Sequence, residues 1–70
     1  MNADLTYFKG LTYLNIGEYE RAIEGFDEAI RRNPQHAKAY YNRGLIYEEL
    51  GESAEAERDI AKAKELGHDP

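Results

Sequence analysis

The sequence has no cysteine, few basic residues and no long apolar run, and each absence excludes a class of protein. Without cysteine, neither a disulfide framework nor a thiolate metal site can stabilise the 70-residue chain. A chain this short buries only about 60% of the surface of its unfolded state, so marginal stability is expected. Good helix packing or self-association is therefore the expected route to a stable fold.

Basic residues are outnumbered, with nine Lys and Arg against 14 Asp and Glu and a formal net charge of −5. Such a chain repels phosphate backbones unless its basic residues are segregated, and Arg31 and Arg32 form the only adjacent basic pair. We therefore expect no nucleic-acid partner. No apolar run approaches the roughly 18 residues of a membrane span, and the N-terminus lacks signal-peptide features. The expectation is a cytoplasmic protein without a membrane partner.

An internal repeat dominates the chain. A shift of 34 residues aligns nine identical residue pairs. These pairs are Ala3/Ala37, Tyr7/Tyr41, Gly10/Gly44, Leu11/Leu45, Tyr13/Tyr47, Gly17/Gly51, Glu18/Glu52, Ala22/Ala56 and Ala29/Ala63. A repeat at this period indicates stacked supersecondary units rather than one irregular core. Residues 1–70 are therefore expected to form one domain, with repeat one at 3–36 and repeat two at 37–70.

Helix signals divide each repeat into two helices joined by very short turns. Asn2 is expected to cap the first helix, while Gly17 and Gly51 supply the positive φ that ends a helix. Asn33, just before a proline, is expected to cap the third helix, and Ser53 the fourth. Because short turns make neighbouring helices antiparallel, the chain is predicted to form two stacked αα-hairpins.

Small residues are expected to bring the helices of each hairpin close together. Gly10 is predicted to face Ala22, and Gly44 to face Ala56. Without bulky side chains at these positions, the helix axes can approach to the close end of the usual range of about 8–10 Å.

Charged residues on the second and fourth helices are expected to lie at the surface. Asp27 with Arg31 and Glu28 with Arg32 have the i,i+4 spacing of helical ion pairs. Asp59 belongs to an acidic run that alternates between helix faces, which is most simply a solvated surface.

The repeat resembles the tetratricopeptide repeat, a helix-turn-helix of about 34 residues with the pattern W-x2-L-G-x2-Y, A-x3-F and P. The two copies read Thr6-x2-Lys9-Gly10-x2-Tyr13, Ala22-x3-Phe26 and Pro34, then Tyr40-x2-Arg43-Gly44-x2-Tyr47, Ala56-x3-Ile60 and His68. The chain departs from the pattern at its tryptophan, leucine and second proline positions. The resemblance covers nearly the whole chain and implies an all-α, right-handed superhelix of four helices.

The resemblance also implies where a partner binds. In this family the first helices of successive repeats line a concave groove that accepts an extended peptide or a partner helix. An aromatic and aliphatic stripe remains there once the core positions are assigned, and such a stripe is typical of an interface. The residues predicted to contact the partner are Tyr7, Leu11, Leu14, Lys38, Tyr41, Asn42, Leu45 and Glu48.

Alternatives remain open for this stripe. Its residues can pack against each other, or against a second copy in a homodimer, and the usual need for three or more repeats gives self-assembly weight. Some family members hold a peptide's C-terminal carboxylate with a lysine and an asparagine in the first repeat and an asparagine in the second. Asn42 matches that second asparagine, but Tyr7 and Leu11 occupy the first-repeat positions, so this clamp is not supported.

The fourth helix differs from the second at two positions that help seat a following repeat in this family. Ile23 and Ile30 in the first copy become Glu57 and Lys64 in the second. Because terminal repeats need a polar outer face, these charges indicate a built-in cap at the end of the stack. The alternative is ordinary drift within a longer array.

No catalytic or metal-binding constellation is predicted. Glu65-x2-His68 has the spacing of half a di-iron site, but it occurs once and Gly67 separates His68 from the helix, so a frayed terminus is expected. His36, in the first turn of the third helix, has no acidic residue three or four positions before it. We predict a non-catalytic module without a cofactor that binds a protein or peptide, the alternative being a structural unit that forms a homo-oligomer.

Overall fold

The computed structural model describes residues 2–68, which form four α-helices. They are α1 (Ala3–Asn15), α2 (Tyr19–Arg32), α3 (Ala37–Glu49) and α4 (Ser53–Glu65). No strand occurs between residues 2 and 68. Helix α1 packs against α2 and α3 against α4, and the two hairpins stack through α2 and α3. The predicted all-α architecture is therefore confirmed.

The predicted ends of α1 and α3 are confirmed. Asn2 Oδ1 accepts a hydrogen bond from the Leu5 backbone N–H at 2.9 Å, which caps α1. Gly17 and Gly51 have φ values of +80° and +78°, in the left-handed region that favours glycine. The Glu18 N–H then donates to the Tyr13 carbonyl at 2.9 Å, so the chain enters α2 directly from the end of α1.

The predicted cap of α3 is wrong. Asn33 Oδ1 accepts a hydrogen bond from the Gln35 N–H at 3.1 Å, and the Asn33 carbonyl accepts one from the His36 N–H at 3.0 Å. These bonds close a turn around Pro34, so the helix begins only afterwards. His36 is the N-cap, and its Nδ1 accepts a hydrogen bond from the Ala39 N–H at 3.3 Å.

Ser53 does not cap α4, as the sequence had suggested, but is its first residue. The N-cap position belongs to Glu52, and no side-chain cap bond forms there within the described chain. The Glu52 N–H donates to the Tyr47 carbonyl at 2.8 Å, closing the turn at Gly51. This closure leaves only one residue between the glycine and the next helix.

The core lies where the two hairpins meet. Its buried cluster consists of Tyr7, Ala22, Phe26, Ala29, Ala39 and Ile46. Ile23 and Ile30 of α2 are half-buried and pack against this cluster. Their counterparts on α4, Glu57 and Lys64, are exposed.

Helices α1 and α2 make a closer contact than the sequence indicated. A Cβ placed on Gly25 would lie 2.9 Å from both Cα and N of Gly10, and one on Gly10 would lie 2.7 Å from the Phe26 ring. The atoms nearest Gly10 thus belong to residues other than the predicted Ala22. In the second hairpin, a Cβ on Gly44 would lie 2.9 Å from Ile60 Cγ1 and 3.3 Å from the Ala56 carbonyl.

Candidate functional site

The eight residues predicted to bind a partner lie on α1 and α3, the first helix of each hairpin. Lys38 and Glu48 are exposed, whereas Tyr7 is buried, with 8% of its surface accessible. The half-buried members are Leu11, Leu14, Tyr41, Asn42 and Leu45. Leu11 and Leu14 pack against the core with one side and keep the rest of their surface accessible. We call these eight residues the groove stripe.

A side-chain hydrogen bond joins the two helices of the groove stripe. Asn42 Nδ2 donates to the Tyr7 hydroxyl and to the Lys38 carbonyl, each at 3.0 Å. Both N–H donors of the amide are therefore used within the protein. Burial raises the pKa of the Tyr7 phenol, and the hydrogen bond from Asn42 offsets part of this rise. Tyr7 and Asn42 thus hold α1 and α3 in register.

Each tyrosine of the groove stripe lies next to a histidine, with the two rings tilted relative to each other. The Tyr7 and His36 rings are 4.7 Å apart between centroids, and the Tyr41 and His68 rings 4.3 Å. The His68 N–H also donates to the Ala63 carbonyl at 2.9 Å, so the frayed end expected from the sequence does not include His68.

An ion-pair cluster centred on Arg43 connects three helices on another side of the fold. Arg43 Nε and Nη2 donate to the two carboxylate oxygens of Asp59 at 2.7 and 2.8 Å, and Nη1 donates to Asp27 at 2.7 Å. The guanidinium carbon also lies 5.4 Å from the centroid of the Tyr40 ring. The two carboxylates raise the pKa of Arg43, so its charge is permanent.

The Arg43 cluster corrects two predictions. Asp59 is buried rather than solvated, and Asp27 pairs across to α3, while Glu28 and Arg32 form their predicted ion pair at 3.0 Å. The sequence held a signal for this cluster. Repeat one has lysine and glycine at positions 9 and 25, where repeat two has the arginine and aspartate of the bidentate pair.

Two surface cavities lie at equivalent places in the two repeats, and neither is lined by a residue of the groove stripe. One, of about 570 Å³, is lined by Asp27, Ile30, Arg31, Arg43, Tyr47, Glu55, Arg58 and Asp59. The other, of about 300 Å³, is lined by Lys9, Tyr13, Arg21, Glu24, Gly25 and Glu28.

Among residues 2–68, no three His, Cys, Asp or Glu side chains are grouped so as to bind a metal ion. None of the described helices combines the length and apolarity that crossing a membrane requires.

Paired antiparallel helices, repeated once and stacked through a shared core, define a helical-repeat protein. The model of the tetratricopeptide repeat family matches residues 7–70. The chain therefore belongs to the tetratricopeptide repeat family, and the resemblance seen in the sequence is confirmed.

Several relatives share this repeat. The chain is 41% identical over 64 residues to the Hsp70-Hsp90 organizing protein of Triticum aestivum, covering 91% of this chain and 11% of that protein. It is 43% identical over 47 residues to the Photosystem I assembly protein Ycf3 of Synechococcus sp. (strain CC9311), covering 67% and 27%. A protein of Methanocaldococcus jannaschii, whose name assigns no function, is 37% identical over 70 residues, covering 94% and 81%. The chain thus spans only a small part of the organizing and assembly proteins.

Proposed function

We propose that the chain is a non-catalytic protein–protein interaction module that binds a peptide or a partner helix along the groove stripe. The observation that carries this proposal is a set of half-buried apolar side chains on α1 and α3. Leu11, Leu14, Tyr41 and Leu45 are each half-buried, so part of every side chain remains accessible, and Leu11 and Leu14 pack against the core. Such side chains offer apolar area to a partner without first having to be ordered, which lowers the entropic cost of binding.

The groove stripe separates into supporting and contacting residues. Tyr7 and Asn42 bond to each other, so their role is to support the groove. Leu11, Leu14 and Leu45 supply apolar contacts. The exposed charges of Lys38 and Glu48 lie on the same side of α3 and would select among partners by charge complementarity.

The relatives support a role in protein interaction. One relative is named an Hsp70-Hsp90 organizing protein and another a Photosystem I assembly protein, and both names describe a role toward other proteins. Because this chain covers 11% and 27% of them, their whole activities do not carry over. From these relatives we transfer to this chain only the use of the repeat as a protein-binding unit.

Selection from a display library of random short peptides tests the proposal. A selected peptide is synthesised with a fluorescent label, and its affinity is measured by anisotropy. We expect Leu45→Glu to weaken its binding by at least about tenfold, because a charge would be buried against apolar ligand groups. Leu50→Lys, outside the groove stripe, is the control and should leave the affinity unchanged. Failure to enrich any peptide, or binding insensitive to Leu45→Glu, would contradict the proposal.

Self-assembly is the second candidate function. It is favoured by a specific observation, the exposure of Leu5, Phe8 and Ile16 on and just after α1. Large apolar side chains grouped at a surface mark an interaction site. Self-association would cover them and add buried area to a short chain.

A further inference from the structure

An apolar row runs along the outer side of α1 and shares no residue with the groove stripe. Four large apolar side chains are exposed among residues 2–68, and three of them belong to α1 or its C-cap: Leu5 (55%), Phe8 (58%) and Ile16 (67%). At about 100° per residue, Leu5, Thr12 and Ile16 fall within about 40° on the helix surface, and Phe8 flanks them. We call these four residues the outer stripe.

The second repeat shows what covers the same position there. The counterparts of Leu5 and Thr12 are Ala39 and Ile46, which are fully buried on α3. Helix α2 packs against α3, and its residues Ile23 and Ile30 contact the cluster that contains both. Leu5 and Thr12 of the outer stripe therefore lie at a helix-docking position, and none of the described helices occupies it. The counterparts of Phe8 and Ile16 are the half-buried Asn42 and the exposed Leu50.

Helix α4 of a second copy is poorly suited to this position. Helix α2 presents Ile30 next to Arg43, whereas the corresponding residue of α4 is the exposed Lys64. An equivalent contact would place Lys64 beside Lys9 and bury Glu57 against apolar side chains. Like charges brought together in a low dielectric disfavour this head-to-tail contact.

We propose that the outer stripe is a homodimer interface in which the α1 helices of two copies pack antiparallel about a twofold axis. The outer stripe is apolar at both ends and carries no charged residue, so the same stripe on a second copy is a chemical match for it. A twofold contact joins identical patches and closes on itself, so it does not lead to fibres. The inference rests on self-assembly, the second candidate function, and uses a surface other than the groove.

In the antiparallel register the two ends of the outer stripe, Leu5 and Ile16, face each other, and Phe8 falls opposite Tyr13 of the second copy. With Leu5 opposite Ile16 of the second copy, Lys9 falls opposite Thr12, so that the two lysines are not opposed. Opposed helix dipoles also attract. The contact extends over about 16 Å of helix, which places it at the small end of specific interfaces. The dimer is consequently weak and depends on concentration.

Disulfide trapping tests the register directly because the chain has no cysteine of its own. Leu5→Cys and Ile16→Cys variants are prepared separately, mixed and oxidised. Antiparallel packing places residue 5 next to residue 16 of the other copy and about 16 Å from the other residue 5, beyond the reach of a disulfide. The mixed disulfide should exceed the Leu5→Cys homodimer by at least about tenfold. Equal yields, or an excess of the homodimer, would overturn the antiparallel arrangement.

A matched pair of variants tests the surface. Ile16 and Leu50 are repeat counterparts and both are exposed C-cap residues. In sedimentation equilibrium over a concentration series, Ile16→Lys should weaken the dimer by at least about tenfold, and Leu50→Lys should not. Leu5→Glu, a substitution that suits a first helical turn, should repeat the loss with unchanged circular dichroism.

The outcomes separate the interface from the wider proposals. A wild-type chain that stays monomeric at every concentration would overturn self-assembly and this interface together. A dimer that survives Ile16→Lys and Leu5→Glu but is lost with Leu45→Glu would retain self-assembly and overturn this interface. Peptide binding in the groove should be unaffected by Ile16→Lys, so the groove proposal is tested independently of this dimer interface.

Discussion

Arg43 and Asp59 form a bidentate ion pair between the two helices of the second hairpin, with N···O distances of 2.7 and 2.8 Å. The Asp59 side chain is 8% exposed, so its charge depends on the guanidinium for compensation. Asp27 shares the same arginine and extends the pair to the first hairpin.

We expect Arg43→Met to lower the free energy of unfolding by about 3 kcal/mol, because Asp59 would remain buried without its cation. The control is Lys9→Met, the same substitution at the exposed counterpart in repeat one, with an expected effect of about 0.5 kcal/mol or less. Urea denaturation followed by circular dichroism measures both. Equal stabilities for the two variants would show that the cluster contributes nothing.

A second prediction concerns the hydrogen bond between Tyr7 and Asn42. Tyr7→Phe removes the acceptor at 3.0 Å and leaves one amide donor unsatisfied in a part-buried position, so we expect a loss of about 1 kcal/mol. Tyr41→Phe, at the repeat counterpart, is the control and should cost less. Thermal and urea unfolding compare the two variants, and a larger loss at Tyr41 would contradict the assignment.

Alkaline pH should destabilise the fold. Burial raises the pKa of both Tyr7 and Tyr47 above the ordinary value of 10.0. The folded state thus holds these protons more tightly than the unfolded state. Their contribution is fully present below about pH 10 and is lost as the pH rises through the raised pKa values.

The test of this alkaline loss is urea denaturation between about pH 8 and 11, with tyrosinate absorbance recorded in parallel. Tyr7→Phe should show a smaller decline in stability over this range than the wild type. A flat pH profile, or an identical decline in Tyr7→Phe, would show that ionisation of Tyr7 is not involved.

The contact between Gly10 and Gly25 supports a fourth prediction. In Gly25→Ala the new Cβ would meet backbone atoms of Gly10 at 2.9 Å, so the helices must separate. We expect a net loss of about 1–2 kcal/mol despite the higher helix propensity of alanine. In Gly44→Ala the nearest backbone atom, the Ala56 carbonyl oxygen, is 3.3 Å away and the closest contact is with the Ile60 side chain, so the loss should be smaller. Denaturation midpoints compare the two, and the reverse order would contradict this account.

The sequence alone determined the repeat, the four helices and the family. Local causes suffice for these features: Gly17 and Gly51 stop helices through their positive φ, and Asn2 caps α1 with its own side chain. The nine identities at a fixed spacing then indicated how the hairpins stack. The glycine stops and the Asn2 cap depend on contacts within one or two helical turns, and the repeat is visible from identical residues at a fixed spacing.

Only the tertiary structure decided which polar groups pair and which apolar residues remain exposed. Asp59 and Asp27 are both bound by Arg43, a residue 16 positions away from each in sequence, and no helical periodicity encodes that distance. Tyr7 was predicted to contact a partner, yet its ring lies close to those of Phe26 and His36, its hydroxyl accepts a hydrogen bond from Asn42, and only 8% of its surface is accessible. Leu5 and Phe8 share α1 with residues that are buried against α2, and they remain exposed because, among the described helices, α1 packs mainly against α2, which covers its other side. Side-chain partners across helices depend on how the helices pack, which the pattern within a single helix does not specify.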